Sequence, residues 1–76
     1  SLEVNLAKQS KWSRAIAAAA ERGESGTVVL LAAAGLQGEG WQHIPAHHLY
    51  HMVRALKQVG LDAEARMLVA EAVSFG

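Results

Sequence analysis

Apolar residues recur at the spacing of one helical face along most of the chain. The last stretch is the clearest. Within residues 46–75, Leu49, Met52, Val53, Leu56 and Val59 fall on one face of a helix, and Leu61, Ala65, Leu68, Val69 and Ala72 on one face of the next, with Gly60 between them. That pattern predicts an αα-hairpin with helices from about Pro45 to Val59 and from Asp62 to near Ser74. Asp62 is the expected N-cap and Glu64 sits in the first turn, where a carboxylate suits the helix dipole.

The first half reads the same way. A helix starting at Val4 or Lys8 runs to Arg22, carries Trp12, Ala15, Ile16 and Ala19 on its inner face, and stops at Gly23. A second helix runs from about Ser25 to Ala34 and ends at Gly35. Its residues Val28, Val29, Leu30 and Leu31 make it apolar all round, so it is expected to be the most buried of the four. Residues 36–44, with Gly38 and Gly40 among polar neighbours, read as the one long loop, and Pro45 fits the first turn of the helix that follows. The expected architecture is all-α: hairpin 1 over about 8–35, loop 36–44, and hairpin 2 over about 45–75.

Sliding the chain on itself by about 37 residues, a period typical of helical repeats, lays Trp12 on Leu49, Ile16 on Val53, Gly23 on Gly60 and Leu31 on Leu68. Leu49 as a bulky residue, Gly60 at the turn, and Ala65 and Ala72 flanking Val69 on the second helix resemble the tetratricopeptide repeat. The chain departs from that pattern at Val53, where a small residue is usual, and at Asp62, where the turn aromatic is usual; in the first half Ile16, Val28 and Gly35 stand at small or alanine positions. The resemblance implies a tetratricopeptide-like bundle that binds other proteins. Its first helices would line a concave side, onto which His47, Tyr50, Arg54 and Lys57 would project to hold an acidic segment or a terminal carboxylate.

Composition narrows the function classes. Of 76 residues 51% are apolar but only 5% aromatic, which favours close-packed alanine-rich helices over a core of large side chains. Seven basic residues balance seven acidic ones, so no net field attracts nucleic acid or an anionic membrane. The chain has no cysteine and hence neither disulfide nor thiolate site. The apolar run 27–36 is about half a bilayer span, so no membrane span is expected and the cytoplasm is the default compartment. A start at Ser1 and an end at Phe75 and Gly76 point to a piece of a longer protein.

Four histidines cluster in and before the third helix: His43, His47, His48 and His51. His47 and His51 lie one turn apart, so with His43 they form a candidate divalent-metal site, although a complete site needs further ligands. At about 100° per residue His47 and His51 fall opposite the apolar face, which equally describes a solvated surface. Trp12 reads as core, and Trp41 as a plug at one end of it. The glycines between 35 and 40 are not followed by the Lys-Ser/Thr pair of a phosphate loop, and no nucleophile, base and orienting acid come together. No enzyme activity and no cofactor are expected.

On the fourth helix Ala63, Met67, Ala70 and Ser74 form an uncharged stripe opposite the inward one. A helix facing water normally carries charge there, so this stripe is expected to dock on a following helix, a second copy of the chain, or a parent domain. The sequence reading is thus a protein-interaction or assembly module with a protein partner or a homo-oligomer. A metal- or ligand-binding bundle built on the histidines, or a structural element of a larger protein, are the alternatives.

Overall fold

The computed structural model describes residues 2–39 and 46–75, and these form four α-helices: α1 (Leu2–Glu21), α2 (Ser25–Glu39), α3 (Ala46–Gln58) and α4 (Asp62–Phe75). Pro45, Trp41 and His43 fall outside the described residues. The helices make two hairpins, α1 with α2 and α3 with α4. The second is laid on the first so that α3 packs on both α1 and α2, while α2 and α4 do not meet. The result is a slab, 35 × 29 × 16 Å.

Both hairpin turns are the same object. Gly23 and Gly60 take φ of 71° and 85°, the left-handed region where a side chain is strained. Around Gly23 the amide of Gly23 donates to the Ala20 carbonyl and that of Glu24 to Ala19, both at 3.0 Å. Around Gly60 the amide of Gly60 donates to Lys57 at 3.0 Å and that of Leu61 to Leu56 at 2.8 Å. This is the Schellman arrangement, which satisfies the last carbonyls of each first helix. The match extends outward at the same offset: Arg22 to Ala18 is answered by Val59 to Ala55, and Val28 to Glu24 by Ala65 to Leu61. The Leu61 carbonyl therefore accepts the first bond of α4, and Asp62, expected as the N-cap, is the first residue inside the helix. There it and Glu64 put negative charge on the N-terminal turn. Beside the first turn, Arg22 grips Glu24 through two hydrogen bonds of 3.1 Å, which hold the Glu24 carboxyl below its ordinary range and raise the Arg22 guanidinium.

The core is small and alanine-rich: Ile16, Ala19, Ala20, Val28, Ala32, Met52, Ala55, Leu56, Ala65 and Leu68. Ile16, Val28 and Met52 are the largest side chains wholly removed from water, each worth about 1.5–3 kcal/mol of apolar burial. On α1 the inner face includes Ala20, and Ala15 points to solvent, so the apolar face is turned slightly from the sequence expectation.

α2 differs most from expectation. It does not end at Gly35 but continues to Glu39, and it is not the most buried helix, since Leu30 is 73% and Val29 47% exposed. The reason for the exposure is topological: α1 and α3 cover one side of α2, and no described helix covers the other. Gly35 persists inside the helix because it is a contact point. A Cβ there would stand 3.0 Å from Trp12 Cζ2 and 3.2 Å from His48 Nε2.

Candidate functional site

With α2 and α4 held apart on α3, an open groove of about 360 Å³ runs between them. α2 contributes Val29, Ala32, Ala33 and Leu36, α3 contributes Leu56, and α4 contributes Leu68 and Met67. Its surface is almost wholly apolar. Met67 is 67% and Val29 47% exposed, a cost in solvated hydrocarbon for a chain of this size. The exceptions to the apolar lining are Glu64 and Glu71, both on α4 and two turns apart. Neither is in an ion pair, since Arg22–Glu24 is the one such pair among the described residues.

Of the stripe expected to dock, Met67 lines this groove, whereas Ala70 lies on the other flank of α4 and Ser74 turns its hydroxyl back to the Ala70 carbonyl at 2.9 Å. Ala63 is exposed. The stripe therefore sits on a crest between two apolar faces. The groove is one of them, and the other is a shallow pocket of about 350 Å³ formed by Val53 and Lys57 of α3 with Ala65, Arg66, Val69 and Ala70 of α4. Val69, expected to point inward, is 39% exposed at this second face, and Val73 beyond it is 72% exposed.

The strip expected to bind an acidic segment is present as an exposed row on α3. His47, Tyr50, Arg54 and Lys57 all face solvent, and the Arg54 guanidinium donates to the Tyr50 hydroxyl at 3.4 Å. Lys57 also borders the second apolar face.

The histidines divide into unlike environments. His48, given no role by the sequence pattern, is the buried one at 5% exposure, its ring stacked on Trp12. Trp12 in turn donates its indole N–H to the Leu31 carbonyl at 2.8 Å, tying α1 to α2. His47 meets His48 edge-on at 6.3 Å, and with His51 they border a cleft of about 230 Å³ whose other wall is Leu6, Gln9, Ser10 and Ser13 of α1. Among the described residues no three or more His, Cys, Asp or Glu side chains come close enough to hold a metal ion. The signal that marked His48 was available in its spacing: it precedes Leu49 and lies one turn from Met52, on the inward side.

No described helix is long and apolar enough to cross a membrane. Compared with protein-family models, curated proteins and solved structures, the chain matches none.

Proposed function

We propose that this chain is a non-enzymatic interaction module built of two tetratricopeptide-like helical hairpins, and that it holds an amphipathic helix of a partner protein in the groove between α2 and α4. The observation that carries this reading is the groove itself: seven apolar side chains from three helices around an open channel, with two carboxylates on one bank that make no ion pair among the described residues. The turns around Gly23 and Gly60, alike bond for bond, support the paired-hairpin part of the reading.

The chemistry of the occupant follows from the lining. Leu36, Leu56, Leu68 and Met67 call for apolar residues at helical spacing, and a flexible Met thioether adapts to more than one shape. Glu64 and Glu71 call for two cations about seven residues apart on the same helix, each within reach of one carboxylate. Nothing in the groove's lining offers a donor to orient a small polar ligand, so a helix suits it better than a metabolite.

The test uses a synthetic amphipathic peptide with a leucine stripe flanked by lysines, titrated into the isotope-labelled chain. Shifts at Val29, Ala33, Leu36 and Met67, weakened by Met67→Glu, support the groove as the docking site. Peptide saturation without movement at these residues overturns it.

A further inference from the structure

The two hairpins correspond bond for bond about their turns, yet a set of equivalent positions covered in the first is more exposed in the second. In the first hairpin Ile16, Ala20 and Ala32 are 0%, 3% and 7% exposed, because α3 lies across both α1 and α2. At the offset that carries Gly23 to Gly60, these positions become Val53, Lys57 and Val69, and the half-buried Leu36 becomes Val73. Val53 is half-buried, Lys57 is exposed, Val69 is 39% and Val73 72% exposed. This is the face that, in the first hairpin, receives a helix.

We infer that the outer face of α3 and α4 is a second docking surface, separate from the groove, and that its occupant is an acidic amphipathic helix of a partner protein seated where the next first helix of the stack would lie. The apolar centre is Val69 and Val73, with the half-buried Val53, which also packs against the core, lining the same pocket as Val69; Lys57 and Arg66 line it too, without an anionic partner among the described residues. A helix whose apolar stripe is bordered by Glu or Asp buries the valines and answers both cations.

Seated in that position through its α1, a second copy of this chain is the wrong occupant on charge and on shape. By the same offset, the copy's element equivalent to α3 is α1, and the buried α3 residues His48, Met52, Ala55 and Leu56 correspond to Lys11, Ala15, Ala18 and Ala19. That flank of α1, with Lys8 beside Lys11, brings two more cations to Lys57 and Arg66 and offers only methyl groups to the valines.

The experiment compares two peptides on the whole labelled chain: a leucine-striped helix flanked by glutamates, and its twin with lysines in their place. The glutamate peptide is expected to move the methyl resonances of Val53, Val69 and Val73. The lysine twin is expected to bind that face about tenfold more weakly, the effect of turning two partly exposed charge pairs from attraction to repulsion. The exposed double variant Lys57→Glu with Arg66→Glu is expected to invert the preference. Equal affinity of the two peptides at the valines, an unchanged preference in the double variant, or a concentration-dependent dimer abolished by Val73→Glu overturns the inference. If the lysine peptide enters the α2–α4 groove while the glutamate peptide leaves the valines unmoved, this inference falls and the groove reading stands. If the glutamate peptide moves the valines and the lysine peptide leaves the groove untouched, the groove reading falls alone.

Discussion

The indole of Trp12 and the imidazole of His48 lie stacked, their centroids 3.9 Å apart and their planes 5° from parallel. They join α1 to α3, and both rest against Gly35 of α2, so three helices meet at one contact. Their facing surfaces add dispersion contact to the apolar area that the two rings bury.

The four histidines are therefore not equivalent. His48→Ala removes a buried ring from beside Trp12 and is expected to destabilise the fold by about 2–3 kcal/mol, combining lost stacking with an unfilled space. His47→Ala, at an exposed position, is expected to stay within about 0.5 kcal/mol of the parent. Chemical denaturation of the two variants decides the matter, and equal stability of both would show the stack to be passive.

Gly35 and Gly26 make a matched pair on one helix. A methyl at Gly26 meets nothing within 4 Å, so Gly26→Ala is expected to stabilise the chain by about 0.5–1 kcal/mol through helix propensity. Gly35→Ala gains the same propensity but drives a methyl to 3.0 Å from Trp12 Cζ2 and 3.2 Å from His48 Nε2. Overpacking of about 1–3 kcal/mol outweighs the gain, and a net loss of about 1 kcal/mol is expected. Thermal melts should place the two variants on opposite sides of the parent.

The turn glycines are predicted to respond alike. Neither Gly23 nor Gly60 has a neighbour that a methyl would strike, so the cost of Gly23→Ala or Gly60→Ala is the backbone strain of φ near 71° or 85° alone. Each is expected to lose about 1–2 kcal/mol. Unequal losses measured under the same denaturant conditions would mean that the two turns are alike in bonds but not in energy.

Glu24 supplies one small pH dependence. Its carboxyl is held below the ordinary value, chiefly by the hydrogen bonds from Arg22, so the stability it contributes is present at neutral pH and is lost as the pH falls through its lowered value. Both side chains are well exposed, so the effect on stability is small. A carboxyl-carbon NMR titration of Glu24 should show the depressed midpoint, and Arg22→Gln should return it toward the ordinary range.

Much of the fold is legible in local pattern. The helix stops at Gly23 and Gly60 follow from the one residue type at ease with positive φ, and the inward face of α3 from the spacing of Leu49, Met52, Val53, Leu56 and Val59. The all-α hairpin architecture follows from those two facts, because each is a property of a few consecutive residues. Local pattern misplaces Gly35: a glycine after an apolar run reads as a stop, whereas here it lies inside a helix at the point where Trp12 and His48 leave no room for a methyl. It also misplaces the burial of α2. An apolar sequence says that a helix prefers to be covered, but covering depends on which neighbours arrive, and α1 and α3 reach only one side. The same holds for Val69 and Val73, whose exposure is set by the absence of a described helix beyond α4. Charge, helix propensity and turn chemistry are written residue by residue in the chain; the groove, the valine face and the Trp12–His48 stack exist only because four helices settle at particular distances, and that is a balance among all of their contacts at once.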